Sequence, residues 1–365
     1  MQPKLKDGIS VLVRKQNRHY EVNFLLNASG GVRAYQFTDA AVACLRLMNG
    51  ANSIKRIASL TNLPADHVAS VVTFLKTARL LDSTSQQSNK KAPRFETQLN
   101  FFADYESDAI HRSEMQACIE RATVLIIGLG GIGSWVAYGL TLAGVQNFIL
   151  VDPDSISISN LNRQCLFNAS HLGQAKVAVM ARLLAEVNQK GNIQTYQCLV
   201  EDKKFCDRVS QSADLVINCA DKPEPSEVNR MVTYACFRHN IPHILCGGYD
   251  GHLSFLGPTV LPGKSACWYC YEKSLVKQFA HSGYEHLLVT PCHLRGGNLS
   301  AISAITANFH VLEAIKVLSG FAAPSMLNKA AELNFLTYDI HFRHYQRVRN
   351  CQHCKRHDNA DRQKH

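Results

Sequence analysis

The sequence predicts an α/β protein, a mostly parallel sheet with helices on both faces, preceded by a small domain of three strands and three helices. Three observations carry this. Strand-like and helix-like segments alternate through residues 123–249, a pattern that implies a parallel sheet covered by helices. The run "VLIIGLGGIG" ends in G-x-G-x-x-G at Gly128, Gly130 and Gly133, which makes a strand, a tight turn and a helix start. The stretch "STSQQSNKKAP", residues 83–93, is polar and ends in proline, so it reads as a linker between residues 1–82 and 94–365.

The elements follow in order. "ISVLVRK", "HYEVNFLL" and "VRAYQF" read as short strands, with "NASGG" as a turn between the last two. "TDAAVACLRLMNG" reads as a helix capped at Thr38 or Asp39 and stopped at Gly50, and "SIKRIASLT" as a short second helix. "ADHVASVVTFLKTARLL" puts Val68, Val71, Val72 and Leu75 on one helical face, the spacing of a buried stripe. In the second segment "TVLIIGL", "NFILVD", "QTYQCLV", "DLVINCA" and "HILCGGY" read as strands. "GSWVAYGLTLAG" and "KVAVMARLLAEVN" read as helices between them.

Composition narrows the function classes. With 39 Lys and Arg against 29 Asp and Glu, the net charge is +10, yet no basic run is interleaved with aromatics and no helix reads as a groove reader. Nucleic-acid binding is therefore not expected. No apolar run approaches the roughly 20 residues of a membrane span, so no membrane partner is expected. "MQPKLKDGIS" lacks a signal-peptide core, and a cytoplasmic location is expected. The 13 cysteines then read as free thiols and metal ligands, not disulfides.

The glycine turn lets a backbone approach a phosphate, with the helix N-terminus favouring its charge. Gly128, Gly130, Gly131 and Gly133 are the candidate nucleotide contacts. Asp152, at the end of the next strand, is placed to hydrogen-bond a ribose hydroxyl. NAD and ATP both have that ribose. The following "DPDSISISNLNRQCLFNASHLGQAK" supplies Asp154, Asn160, Arg163, Gln164 and Lys176. A triphosphate needs such cations: Arg holds phosphate oxygens bidentately and Lys supplies a point charge. Asp221, ending "DLVINCAD", is placed to hold Mg²⁺ beside a phosphate.

Taken together, "GLGGIG", Asp152 and Asp154 in "VDPD", "NLNRQ", "GQAK" and "CAD" resemble the ThiF/MoeB family of ubiquitin-activating-enzyme-like adenylating enzymes, over residues 94–355. The resemblance implies that MgATP lies over the glycine turn and that a carboxylate attacks the α-phosphorus. The products would be an acyl-adenylate and pyrophosphate. Arg163, Lys176 and Asp221 would carry that chemistry, which is mostly positioning and charge stabilisation.

"CWYC", Cys267 and Cys270, and "CQHC", Cys351 and Cys354, make a Cys₄ zinc site that would staple the C-terminal tail to the core. The resembled family has a structural zinc in the same arrangement. A redox role for "CWYC" is disfavoured here because the pair does not read as opening a helix after a glycine-rich or thioredoxin-like turn. Between the pairs lie Cys292, His281, His286 and His293. In family members that pass the acyl group on, a cysteine in a comparable region forms a thioester. Cys292 is a candidate for that role, simple packing or exposure being the alternative.

The order of strands and helices in residues 1–82 resembles both a winged helix and the PqqD-like peptide-recognition domain of ribosomal-peptide maturation enzymes. In the latter an edge strand pairs with a leader peptide. A packing or oligomerisation domain is the alternative. The whole most resembles enzymes that mature small peptide antibiotics of the microcin C and pantocin A types. That implies a ribosomal precursor peptide as partner. Family members carry R-Y-x-R-Q before the glycine strand, the second Arg reaching the partner subunit's ATP phosphates in a homodimer. Here "RFETQ" keeps Arg94 but has Thr97 at the second place, with Arg94 or Arg112 as possible substitutes. The missing Arg and the basic charge lean toward the pantocin A type. Competing functions are activation of a ubiquitin-like sulfur-carrier protein's C-terminus, a nucleotide-sensing binding protein, and an NAD oxidoreductase.

Overall fold

A computed structural model describes residues 2–26, 30–82, 93–106, 110–282 and 297–354. The chain divides into two compact units, residues 1–116 and 117–365. Residues 83–92 of the expected linker lie outside the described residues.

The first unit begins with an antiparallel sheet of β1 (Ile9–Gln16), β2 (His19–Leu26) and β3 (Gly31–Phe37), in that order. Asn17, at φ 46°, makes the tight turn between β1 and β2, a conformation asparagine tolerates. Alternate residues Val22, Phe24 and Leu26 of the central strand are buried, as a one-faced sheet requires. They pack against α1 (Asp39–Arg46), α2 (Ile54–Thr61) and α3 (Ala65–Thr77). Thr38 caps α1 by accepting from the Ala41 N–H, and Ser53 caps α2 through Arg56. The predicted stripe Val68, Val71, Val72 and Leu75 is buried throughout. The first helix stops at Arg46, short of Gly50, because the chain after Leu47 turns back and Asn49 bridges to Lys4. α4 (Glu96–Ala103) follows, and the division between the units falls within α5 (Arg112–Arg121).

In the second unit β4 (Thr123–Ile127) leads into α6 (Gly131–Ala143), β5 (Asn147–Val151), α7 (Lys176–Val187), β6 (Ile193–Tyr196), α8 (Lys203–Ser210), β7 (Leu215–Asn218), α9 (Pro225–His239) and β8 (His243–Leu245). Then come β9 (Gly248–Asp250), β10 (Leu253–Leu256), β11 (Thr259–Val260), α10 (Trp268–Ser282), α11 (Ser300–Ser319), β12 (Lys329–Asn334) and β13 (Ile340–His344). The main sheet has the order β11-β8-β7-β4-β5-β6, parallel except for β11. This is the expected mixed α/β core with a mostly parallel sheet. Both faces of β4 are buried: Leu125 and Ile127 pack toward α8 and α9, while Val124 and Ile126 are equally covered on the opposite face. β4 carries the first crossover to one side and β7 the return to the other, so the switch point lies between their C-terminal ends.

Two expected strands differ. The sixth, "QTYQCLV", ends at Tyr196 as β6 instead of running to residue 200. "HILCGGY" splits into β8 and β9, which belong to different sheets, the second being β13-β12-β10-β9. Gly248 turns the chain at φ 85°, and a Cβ on Gly247 would lie 2.5 Å from that of Phe255, so β9 peels away to pair with β10. α11 is long and apolar enough to cross a membrane by length and composition, which the sequence reading did not expect. Its buried residues include His310 and Glu313. Glu313 accepts from the Thr259 hydroxyl, the Lys316 ammonium and the N–H groups of Ser325 and Met326, which ties the helix into the protein.

α6 starts against the turn that precedes it. A Cβ on Gly133 would fall 1.8 Å from the Gly128 carbonyl oxygen. Gly133→Ala should therefore lower stability by about 3 kcal/mol, the upper range for overpacking, as read from denaturant midpoints. An unchanged midpoint would mean that the turn can move aside.

Candidate active site

The crevice at the switch point is built from backbone first. The Gly128 N–H donates to Val151 O at 2.8 Å, and the Cys219 N–H donates to Ile127 O at 2.7 Å, so the loops after β4, β5 and β7 are laced together. Gly128 has φ 87°, and a Cβ there would meet the Ala220 nitrogen at 2.7 Å. Gly131 is pressed by the Ser303 and Tyr249 hydroxyls, 2.8 and 2.9 Å from its would-be Cβ. Gly130 has open space beside it. Of the four predicted glycines, three are there for close packing and Gly130 alone among them has room for a side chain.

Charged side chains surround this turn. Asp152 is buried, accepting the Leu129 N–H at 2.6 Å and the Asp154 N–H at 2.9 Å. Burial raises its pKa, and the Lys176 charge and the two N–H groups offset that only in part. Each oxygen keeps further acceptor capacity. Lys176, also buried, stands 2.9 Å from Asp154 Oδ2 and 3.8 Å from Asp152 Oδ1. Burial works to raise the Asp154 pKa, but the hydrogen bond and charge of Lys176, with Lys222, outweigh it and hold the carboxyl below its usual value. Lys176 begins α7, and its own N–H donates to Asp154 O. The predicted trio Asp152, Asp154 and Lys176 is thus one cluster. Lys222 reaches to 4.0 Å from Asp154, which brings the loop carrying exposed Asp221 alongside.

The segment from Asn160 to Gln164 is fixed by α6. Trp135 Nε1 donates to Arg163 O at 3.1 Å, and Ser134 Oγ accepts the Cys165 N–H at 3.0 Å. Asn160 spends its side-chain oxygen on the Ser157 N–H, a loop-shaping bond. Gln164 is buried with Oε1 unpartnered, and the Arg163 guanidinium lies against Ser159 O and Asn162. The sequence reading missed Trp135 and Lys222, although each adjoins a motif it used: Trp135 two residues after Gly133, Lys222 directly after Asp221.

Arg112, a proposed substitute for the missing arginine, is engaged by Asp82 at 2.9 Å and Glu106 at 3.6 Å. Arg94 stands over the Phe95 ring, and Thr97 lies in the first turn of α4. Cys292, His286 and His293 lie outside the described residues; His281 falls near the end of α10. A separate groove of about 880 Å³, lined by Arg230, Tyr269 and Glu272 among others, contains none of the predicted residues.

Cys267, Cys270, Cys351 and Cys354 come together, their sulfurs within 4.8 Å of one another. The closest pairs are Cys267–Cys270 at 3.7 Å, Cys267–Cys351 at 3.6 Å and Cys270–Cys354 at 3.8 Å. Tetrahedral Zn–S bonds of 2.3 Å would set the sulfurs about 3.8 Å apart, so the donor set fits zinc. Hydrogen bonds from Cys267 and Cys354 hold the Cys270 pKa down, while the same bond to Cys270 pushes Cys267 up. The expectation that "CWYC" opens no helix, set against a redox role, does not hold. "CWYC" does open a helix, since α10 starts at Trp268, immediately after Cys267. What disfavours that role is the second pair of sulfurs at contact distance. Among the described residues all cysteines are free thiols.

Comparison with known proteins places this arrangement. SUMO-activating enzyme subunit 2 of Dictyostelium discoideum is 33% identical over 164 residues, 44% of this chain and 24% of that protein, so the match spans about a quarter of the relative. The vegetative HesA protein of Trichormus variabilis is 28% identical over 248 residues, 67% of this chain and 84% of it. The sulfur carrier protein ThiS adenylyltransferase of Escherichia coli is 29% identical over 204 residues, 55% of this chain and 74% of it. Among solved structures, E. coli MccB with ATP superposes with a TM-score of 0.75 at 22% identity, covering 97% of this chain and 100% of that one. The microcin C7 biosynthetic enzyme MccB with N-formylated MccA gives 0.75 at 21% identity, with 97% and 100% covered. PaaA gives 0.73 at 16% identity, with 93% and 100% covered. The ThiF family model matches residues 96–356, and the chain belongs to the ThiF family.

Proposed function

We propose that this chain uses ATP and Mg²⁺ to adenylate a carboxylate, side-chain or C-terminal, of a ribosomally made precursor peptide during peptide antibiotic biosynthesis. The observation that carries this is the buried Lys176 held between Asp152 and Asp154 beside the open glycine turn. The likeness to MccB over 97% of the chain supports the peptide substrate, because it extends over residues that precede the family match at residue 96.

The residues divide the work. N–H groups at the start of α6 receive phosphate oxygens, and Asp152 takes a ribose hydroxyl. Arg163 and Lys176 balance the phosphate charge, with Trp135 fixing the loop that carries Arg163. Asp221 would hold Mg²⁺, which would supply positive charge against that building on the leaving pyrophosphate. A carboxylate oxygen of the peptide forms a bond to the α-phosphorus as the bond to the β-phosphate oxygen breaks. The protein supplies position and charge and forms no covalent bond itself. Adenylation of a ubiquitin-like carrier's C-terminus is the second reading, favoured by the likeness to the ThiS adenylyltransferase.

Residues 1–82, read as the winged-helix, PqqD-like module, are proposed to take the leader peptide as an added strand. Both outer strands of the first sheet, β1 and β3, have an open edge within that sheet. Beside β3, Tyr35, Phe37 and the exposed Phe74 form an aromatic cluster suited to a leader side chain. The four tail cysteines are proposed to hold a structural zinc, and a second copy of the chain is the proposed partner for exposed Ile305, Phe309 and Leu312 of α11.

Three outcomes follow. ATP with Mg²⁺ should raise the melting temperature while NAD does not, and Asp221→Ala should abolish pyrophosphate release with the fold intact. Full release in that variant would remove Asp221 from the mechanism, and turnover with a sulfur-carrier protein but no peptide would select the second reading. Metal analysis and sedimentation of freshly purified protein should find about one zinc per chain and a particle of two chains, and Cys351→Ser should loosen the tail without selectively stopping catalysis. Zinc-free protein prepared without chelator would refute the Cys₄ assignment. Hydrogen exchange of the full-length protein with its leader peptide should slow amides of residues 9–16 or 31–37 and leave central β2 unchanged. Protection confined to other segments would replace the leader reading with a packing role.

A further inference from the structure

Two cysteines outside the tail cluster meet at the floor of the crevice. Cys219 follows β7 and Cys246 follows β8, adjacent parallel strands in register at Asn218 and Leu245. Each cysteine is the next residue beyond that pair, and the Cys246 N–H donates to Asn218 O at 2.9 Å. This registration brings their sulfurs to 3.5 Å. Cys219 is partly exposed and Cys246 is buried. A disulfide needs sulfurs at about 2.05 Å and Cα atoms within about 7 Å, and neighbouring strands about 4.8 Å apart satisfy the second condition.

We propose that Cys219 and Cys246 form an oxidation site, which a peroxide closes to a disulfide, and that closure weakens nucleotide binding at the glycine turn. The partly exposed Cys219 meets the peroxide first. Its sulfur attacks one oxygen, the O–O bond breaks, and a sulfenic acid and one water result. The Cys246 sulfur then attacks that of Cys219, the S–O bond breaks, and a second water leaves with the thiol proton. Two thiols lose two electrons and one hydrogen peroxide gains them.

Closure is coupled to the crevice by contact. The sulfurs must approach by about 1.5 Å, and Cys219 has little freedom to absorb this alone. Its N–H is held by Ile127 O at 2.7 Å. Its carbonyl carbon lies 2.8 Å from where a Cβ on Gly128 would be, and its own Cβ 3.3 Å from where one on Gly133 would be. A shift of Cys219 is therefore passed to both glycines and to the loop carrying Asp221. The nucleotide half of the proposal rests on the reading of the crevice as an ATP site; the cross-link half does not.

The test uses the reduced, full-length protein with increasing hydrogen peroxide, alkylation of remaining thiols, and digestion without reductant. A peptide pair joined through Cys219 and Cys246 should appear, and dithiothreitol should remove it. In step with it, the ATP dissociation constant should rise about tenfold and return on reduction. Cys246→Ser and Cys246→Ala should bind ATP normally and resist peroxide, and a chromogenic chelator reports any metal lost from the tail cysteines. No link at doses that oxidise other thiols overturns the proposal, as does an equal loss of ATP affinity in the Cys246 variants. A link with unchanged affinity overturns the coupling. If the reduced protein itself fails to bind ATP, the nucleotide reading fails, and the peptide map still decides whether the pair closes.

Discussion

The close approach of α6 to the turn after β4 is the constraint on which the second unit's crevice depends. No side chain fits between Gly133 and the Gly128 carbonyl, nor between Gly128 and the backbone of Cys219 and Ala220. The glycines let the helix N-terminus sit directly on the C-terminal ends of β4 and β7. That placement leaves the α6 N–H groups facing the switch point, the one edge of a parallel sheet where loops from both directions diverge. It also sets Ser134 and Trp135 where they hold the segment around Arg163. A single steric condition therefore positions the N-terminus of α6 and the loop carrying Arg163 together.

Electrostatics then decides what the crevice holds. A buried lysine is costly unless paired, and Lys176 is paired with two carboxylates. Asp152 is committed to the main chain through two N–H groups, so it braces the turn as well as facing the lysine. A phosphate oxygen arriving at Lys176 competes with Asp154, whose other oxygen has Lys222 nearby. The two carboxylates keep the buried ammonium in place, and the proposed function would have a phosphate oxygen take the place of Asp154 beside it.

Much of this was legible because it depends on local rules. The glycine spacing announces the turn, the 3.6-residue stripe of Val68, Val71, Val72 and Leu75 announces a packed helix, and "TD" announces a cap at Thr38 or Asp39. What could not be read depends on tertiary context. "HILCGGY" looks like one strand, and only the proximity of Phe255 to Gly247 shows that it must change sheets. Asn160 also shapes its own loop by accepting the Ser157 N–H on its side-chain oxygen, which the sequence does not announce. Cys219 and Cys246 lie far apart in the chain and become neighbours only through the register of β7 with β8. The start of α10 at "CWYC" was missed because tryptophan and tyrosine carry no helix-start signal, and the preceding "PGKSA" reads simply as a turn.

The tail shows the same division between local and distant causes. Beyond β13 the chain has little apolar material of its own. The small core it joins is Phe237, Val260, Ala266, Tyr345 and the cysteines themselves. Tyr345 is buried with its hydroxyl unpartnered, and an unpaired buried polar group costs about 1–3 kcal/mol. Val348 donates its N–H to Cys270 Sγ, Tyr269 stacks on His353 at 3.8 Å, and Arg347 donates to the Ser265 and Gly263 carbonyls, so the tail is held close to the first cysteine pair. A segment this poor in hydrophobic area needs another source of cohesion, and four sulfurs at tetrahedral spacing are one. Bound zinc would convert four thiols that compete for protons into four thiolates sharing one cation. The end of the chain would then be held by coordination where the hydrophobic effect is too weak to hold it.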